Sequence, residues 1–288
     1  MQGIQSSMAV GSFQELIHLW AHENLRIYSD RLVSDDDRRW FSAQLQHLVP
    51  THFRMDFGKV FTMTSKGDKG LPVPAAGEAG EDKDPKAREA AAAAHVALSK
   101  LLFCDFMTDG ARGEAPYAEV KEMGDVEAVV GRYLDEHNDQ SSEPMQLVLF
   151  HFAVQHVCRI CRVLRQPAGN ALLVGVGGSG RQSLTKLATF MSEYDLFQMD
   201  GASGSGYGVV EWHDDLKAVL RKAGETDRQV VFLMTDTQMK YDSFVEDISC
   251  IFNTGVCVSE VRASPPSRPA SLFASSPCEP LHAAYATL

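Results

Sequence analysis

Residues 169–184 read GNALLVGVGGSGRQSL. The apolar run 171–174 predicts a short strand that is buried on both faces, as in a parallel sheet. A glycine-rich turn follows at 175–180, and an amphipathic helix is expected from Gln182 to about Ser192. A strand, a glycine-rich turn and a helix in this order form the structural context that a phosphate-binding loop, or P-loop, requires.

The turn supplies the chemistry of this segment. Its glycines permit backbone conformations that direct several N–H groups into one concavity, and the helix N-terminus favours an anion there, so a polyphosphate is the expected ligand. The same letters satisfy the G-x-G-x-x-G pattern of dinucleotide-binding loops, and such a turn can also lack a ligand. The six-residue spacing from Gly175 to Gly180, with a cation directly after it, favours the P-loop. The candidate nucleotide-binding residues are Gly175, Val176, Gly177, Gly178, Ser179, Gly180, Arg181, Gln182 and Ser183.

Two positions depart from the P-loop pattern G-x-x-x-x-G-K-[ST]. Arg181 stands where that pattern has its lysine, and Gln182 stands where it has the hydroxyl that coordinates magnesium. Arginine keeps the charge but is bulkier and planar, and a glutamine amide is a weaker magnesium ligand than a close hydroxyl. Ser183 lies one position too late to replace that hydroxyl fully. The sequence therefore predicts that ATP or ADP binds with Mg²⁺ and that hydrolysis is inefficient.

The residues after this turn alternate between helix and strand patterns. Further strands are expected at 196–199 and 230–234, and the intervening and following helices are expected at about 210–223 and 244–252. This alternation predicts the α/β class, with a parallel sheet and helices on its faces.

The strand at 230–234 leads into Thr235 and Asp236. An acid at the end of a strand beside a P-loop can hold magnesium through water or polarise the attacking water. The alternative for Asp236 is a carboxylate that only caps the loop after the strand. The P-loop upstream favours the functional interpretation.

A long helix is predicted from Met145 to about Leu164, after a helix start at Ser141 to Pro144. It is apolar on nearly every side, which predicts burial between two layers. Cys158 and Cys161 lie one turn apart on it. No second cysteine pair or nearby histidine pair completes a zinc site, so we interpret them as core residues. Three arginines follow the same helix and are interpreted as a polar stripe, the alternative being contact with phosphates: Arg159, Arg162 and Arg165.

The charge and composition of the chain disfavour two classes of partner, nucleic acids and membranes. The net charge of −11 and the pI of about 5.3 argue against a nucleic-acid surface, which needs a basic patch. No run of eighteen apolar residues is present, so no membrane partner is expected. The start of the chain lacks the pattern of a secretory signal, and the six cysteines lack a disulfide-scaffold spacing, which together favour a reducing, cytosolic compartment.

The quoted stretch, preceded by RICRVLRQP, resembles the fourth AAA+ module of the axonemal dynein heavy chains. The order of that family continues here with LFQM, YGVVEWHDDLK, RKAG, VVFLMTDTQ and SFVEDI. Near the N-terminus, LWAHENLRIYSDRLVSDDDRRWF resembles the small helical lid of the third module, and Ser34 with the acids after it predicts a helix N-terminus there.

The resemblance implies a P-loop AAA+ fold and four regions. Residues 1–64 would be the helical lid of the preceding module, and 98–255 would be an incomplete AAA+ large domain. Between them, 65–97 is rich in small and polar residues and is expected to be an insertion or linker. The segment 256–288 is rich in serine, proline and alanine, departs from the family, and is expected to be disordered.

The resemblance also implies roles and partners. Thr235 takes the position of the Walker B aspartate and Asp236 that of the catalytic glutamate, which makes Asp236 the candidate catalytic residue and a magnesium ligand through water. In this family the first module supplies most of the hydrolysis, and later modules bind nucleotide and tune a minus-end-directed microtubule motor. The implied partners are the other AAA+ modules of the same heavy chain and, through parts outside this segment, dynein intermediate and light chains and microtubules. The implied location is the cytoplasm and the cytoskeleton of the cilium or flagellum axoneme.

Two other functions are compatible with the residues. The first is a non-catalytic structural piece of the ring, from a truncated gene product, whose pocket stays empty. The second is an independent small P-loop NTPase, which the missing lysine disfavours.

Overall fold

The computed structural model describes residues 11–61, 85–107, 115–166, 169–199, 206–225, 229–254 and 282–287. The chain divides into two compact units, Met1–Glu122 and Met123–Leu288. Within the described ranges, no helix is both long enough and apolar enough to cross a membrane.

The first unit is mainly helical. The helix after Ser34 starts where the sequence predicts, because Ser34 accepts a hydrogen bond from a backbone N–H of its first turn. Ser12 caps the preceding helix in the same way. A short antiparallel pair of strands closes the unit, with Phe103 opposite Glu119. The elements are α1 (Phe13–Asn24), α2 (Asp35–Leu48), α3 (Phe57–Phe61), α4 (Pro85–Ser99), β1 (Phe103–Cys104) and β2 (Ala118–Glu119).

Helix α4 carries the alanine run that was expected to be a linker. The structure instead packs α4 into the core of the first unit, where Ala90, Ala94 and Leu98 are buried. Small side chains allow helices to approach closely, so a face of alanines can belong to a core without any large apolar residue. Of the expected linker 65–97, residues 65–84 lie outside the described part of the chain.

The second unit alternates helices and strands, as the sequence predicts. Its elements are α5 (Met123–Gln140), α6 (His151–Leu164), β3 (Asn170–Val174), α7 (Arg181–Met191), β4 (Asp195–Gln198), α8 (Val209–Glu225), β5 (Val230–Thr235), α9 (Asp242–Thr254) and β6 (His282–Thr287). The four longer strands form a parallel sheet in the order β3-β6-β5-β4. The expected α/β class with a parallel sheet is confirmed.

Strand β6 differs from the expectation of a disordered tail. Residues 282–287 pair in parallel with β3 on one side and β5 on the other. A central strand satisfies its backbone N–H and C=O groups on both edges, which offsets a low content of large apolar side chains. The rest of the expected disordered segment, apart from these six residues, lies outside the described part of the chain.

Strand β3 is less buried than its apolar run predicts. Leu172 is 68% exposed and Val174 is 73% exposed, whereas every residue of β5 is buried. Exposure alternates along β3, so one face of this strand is left uncovered. The core that covers β5 is built from α8 and α9, with Trp212 and Phe244 stacked against each other.

Helix α6 is shorter than predicted and begins at His151. The side chain of Asn138 holds the chain before it, since Asn138 Oδ1 accepts from the N–H of Met145 at 2.7 Å and Asn138 Nδ2 donates to its carbonyl at 3.0 Å. These bonds use the backbone groups that a helix starting at 145 would need. Burial is confirmed for one face of the helix, where Val154 and Val157 are fully buried, but Phe152 is 58% exposed, so the expected burial between two layers is wrong.

Candidate nucleotide-binding loop

The glycine-rich turn connects β3 to α7, as the sequence predicts. Gly178 and Gly180 adopt φ values of +75° and +76°, a left-handed conformation that other residues rarely take. Within the turn, the N–H of Ser179 donates to the carbonyl of Val176 at 3.3 Å. At the start of α7, the N–H of Leu184 donates to the carbonyl of Gly180 at 2.8 Å. The turn is therefore a compact loop with the start of a helix at its end, the geometry that suits an anion.

Most of the candidate residues lie together and are accessible. Residues 176–179 are exposed, Gly175 and Gly180 are half-buried, and Gln182 is exposed on the first turn of α7. Ser183 is half-buried on the same turn. This places the loop backbone and the hydroxyl of Ser179 where a solvent-borne ligand can reach them.

Arg181 folds back over the loop. Its Nη2 atom donates to the carbonyl of Val176 at 3.2 Å, and the guanidinium lies against Gly175. A Cβ atom on Gly175 would lie 3.3 Å from the hydroxyl of Ser179, which is a tight contact, and 3.6 Å from Arg181 Cδ, which is an ordinary one. Arg181 Nη1 is buried and has no hydrogen-bond partner among the described residues. An orphaned cationic nitrogen inside a glycine loop is compatible with an anionic ligand.

Thr235 and Asp236 follow β5 with different local roles. Thr235 caps the short helical turn 236–238, because its hydroxyl accepts from the N–H of Gln238 while Gln238 Oε1 accepts from the N–H of Thr235 at 2.8 Å. Thr235 is buried and its hydroxyl also contacts Thr237 Oγ1 at 3.0 Å. Thr235 therefore stabilises the turn, and the half-buried Asp236 is the acid that the turn presents.

The parallel strands bring the loop and Asp236 to the same end of the sheet, the carboxyl end of β3 and β5. Leu173 of β3 and Thr235 of β5 both align with Ala286 of β6, so the loop and Asp236 leave the sheet at nearly the same level. Neighbouring strands are about 4.8 Å apart, which puts the backbones of β3 and β5 about 10 Å apart across β6. β6 lies between these two strands in the sheet, so the loop and Asp236 are separated by its width.

Two residues near the loop were missed by the sequence reasoning. Gln238 positions the turn that carries Asp236, and its Nε2 atom also donates to Met199 O at 3.3 Å. The pattern T-x-x-Q after a strand was the available signal, since it is the capping-box spacing. Leu147 lies beside Gly180, with its Cδ2 atom 4.0 Å from the position of a Cβ there. No local pattern indicates that contact.

The cysteines of α6 do not form a site. Cys158 and Cys161 are buried and form no disulfide within the described residues, as the interpretation as core residues predicts. Among the described residues, no group of three or more histidine, cysteine or acidic side chains could hold a metal ion.

Comparisons with known proteins agree with this geometry. Residues 145–261 match the family described as P-loop containing dynein motor region D4. The chain is 36% identical over 242 residues to dynein axonemal heavy chain 3 of Mus musculus, covering 84% of this chain and 5% of that protein. It is 36% identical over 241 residues to dynein axonemal heavy chain 1 of Homo sapiens, with the same coverage. Over 213 residues it is 37% identical to dynein axonemal heavy chain 12 of Mus musculus, covering 74% of this chain and 6% of that protein.

The chain spans about 5% of the length of the first two of these relatives and 6% of the third. The similarity to these relatives covers most of the chain, and the strand, loop and helix agree with the P-loop of the matching family. The chain belongs to the axonemal dynein heavy chains, as a segment that includes the P-loop containing motor region D4.

Proposed function

We propose that this segment binds ATP or ADP as a regulatory module of an axonemal dynein heavy chain and hydrolyses it poorly. The observation that carries the proposal is the loop at 175–180, with two left-handed glycines and an unpartnered nitrogen of Arg181 at the start of α7. The loop amides and the dipole of α7 would hold the phosphates.

The residues also account for weak hydrolysis. When bound, Mg²⁺ would neutralise charge on the phosphate oxygens. Gln182 lies where a hydroxyl ligand is expected, and the hydroxyl of Thr235 is engaged in capping the turn after β5. Asp236 is then left to orient a magnesium-bound water or to accept a proton from the attacking water, and one carboxylate does not perform both tasks at once.

The wider role follows from the relatives. They are axonemal heavy chains by name, which supports a place for this segment in the cytoskeleton of the cilium or flagellum. In that setting the module would contact other AAA+ modules of the same heavy chain. Intermediate chains, light chains and microtubules would be bound by other parts of the motor, and nucleotide in this module would tune the minus-end-directed movement.

A structural role with an empty pocket is the second candidate. It is favoured by the bond from Arg181 to Val176, which stabilises the loop without a ligand. The two candidates differ in one measurable property, the affinity of the folded chain for nucleotide.

Titration of the full chain with a fluorescent ADP or ATP analogue tests the proposal. We expect saturable binding that is lost in Gly180→Val, because valine disfavours the +76° φ that shapes the loop. Gly131→Ala is the matched control, since Gly131 lies in α5 with open space around it, and this variant should bind normally. Phosphate release should stay close to background in the unmodified chain and in Asp236→Ala. A folded chain without saturable binding would support the structural role instead.

A further inference from the structure

We propose that the two terminal nitrogens of Arg181 have separate roles, Nη2 as a brace of the empty loop and Nη1 as a preformed donor to a phosphate oxygen. The inference rests on the proposed binding of nucleotide and specifies how this loop works with an arginine in the lysine position. It assigns the ligand of Nη1 by chemistry, as a phosphate group of a nucleoside diphosphate or triphosphate.

The brace connects the start of the loop to the start of α7. The carbonyl of Val176 accepts from Arg181 Nη2 at 3.2 Å and from the N–H of Ser179 at 3.3 Å. One acceptor therefore receives two donors that lie three and five residues further along the chain. A loop tied in this way keeps its shape without a ligand, which reduces the ordering that binding requires.

The proposed donor to the phosphate is Nη1, the second terminal nitrogen of the same guanidinium. Arg181 Nη1 is buried, lies 3.7 Å from the position of a Cβ on Gly175, and has no hydrogen-bond partner in the described part of the chain. A buried cationic N–H without an acceptor is costly, and an anion that enters the loop removes the cost. The accessible hydroxyl of Ser179, which also faces Gly175, supplies a further donor for such an anion.

The division of roles gives an expectation opposite to that of the P-loop pattern alone. The guanidinium is a rigid fork that can donate to Val176 and to a phosphate at the same time. A lysine has three N–H donors on one nitrogen, and that nitrogen cannot occupy the positions of Nη1 and Nη2 at the same time. Arg181→Lys restores the usual P-loop residue, yet it should weaken phosphate binding here.

Calorimetric titration of the full chain with pyrophosphate and with ADP tests the donor. Arg181→Lys should lower the affinity for both by about three- to tenfold, and Arg181→Met by about tenfold or more, the scale of losing charged hydrogen bonds. The exposed Arg221 on α8 provides the control, and Arg221→Lys should leave both affinities unchanged. Hydrogen exchange of the ligand-free chain tests the brace separately. Exchange at the Ser179 amide should be faster in both Arg181 variants than in the unmodified chain.

The outcomes separate this inference from the proposed function. If Arg181→Lys binds pyrophosphate and ADP as tightly as the unmodified chain or more tightly, the donor role is overturned while nucleotide binding stands. If the unmodified chain binds neither ligand, the proposed function and the donor role both fail. Unchanged exchange at Ser179 in the variants would overturn the brace, whatever the titrations show.

Discussion

At the residue scale, the histidine His18 of α1 faces acceptors on both ring nitrogens. Its Nδ1 atom lies 2.9 Å from each carboxylate oxygen of Glu119, and its Nε2 atom lies 2.7 Å from the carbonyl of Val60. A neutral imidazole has only one N–H, so both contacts are hydrogen bonds only when the ring is protonated. Burial lowers the pKa of His18, but the bonds to Glu119 and Val60 and the charges of Glu119 and Glu15 outweigh it and raise the pKa above 6.5.

The first prediction is that alkaline pH weakens the first unit. Because the folded pKa of His18 is raised, its contribution to stability is fully present below pH 6.5 and is lost as the pH rises through the folded pKa. Glu119→Gln should destabilise the unit by about 1–3 kcal/mol at pH 6 and by less at pH 9. Urea unfolding of the unmodified chain, this variant and the exposed-site control His52→Gln at both pH values is the measurement. An equal effect of Glu119→Gln at both pH values would show that His18 is neutral in the folded chain.

Residues of the candidate loop differ in how far the sequence could predict them. Gly175 to Ser183 follow from local spacing, because a P-loop is a continuous segment whose glycines are needed for its backbone. The fold-back of Arg181 onto Val176 depends on a rotamer and could not be predicted from spacing. Leu147 reaches Gly180 only through the packing of the second unit, so its position is a tertiary property.

At the element scale, periodicity predicted most helices and strands of the second unit, because burial of one face imposes it. It failed where burial is not the deciding factor. The start of α6 is set by the hydrogen bonds of Asn138, and the exposure of β3 arises because one of its faces is uncovered. The alanine face of α4 was missed because small residues carry a weak periodic signal.

The second prediction concerns α6 and its buried face. Val157 is fully buried, with 0% of its surface accessible to water. Val157→Asp should therefore lower the free energy of unfolding by several kcal/mol and unfold the second unit. Val148 precedes the helix and is 82% exposed, which makes Val148→Asp a matched control with little effect. Circular dichroism melts and gel filtration distinguish the two variants. A Val157→Asp chain that melts cooperatively at the unmodified temperature would mean that α6 is not packed as described.

At the scale of the whole molecule, strand β6 determines how the phosphate loop and Asp236 are spaced. β3 and β5 do not pair with each other, and each pairs with β6 instead. The match to the dynein motor region ends at residue 261, so β6 lies beyond the part of the chain that carries this likeness. Sequence reasoning could not place it, because a six-residue segment with three alanines acquires a strand position only from the neighbours that pair with it.

The third prediction is that removing residues 282–288 disrupts the sheet. Without β6, the inner edges of β3 and β5 lose their backbone partners, and unpaired N–H and C=O groups between two strands are costly. Hydrogen exchange at Leu173 and Phe232 should become faster in the truncated chain and in Ala284→Pro, since proline interrupts a central strand. Leu288→Pro, at the residue after β6, is the control and should retain slow exchange. Limited proteolysis can contradict this prediction directly. A stable product that ends near residue 255 and keeps slow exchange at both amides would show that the sheet persists without β6. In that case the expectation of a dispensable tail would hold for 282–287 as well.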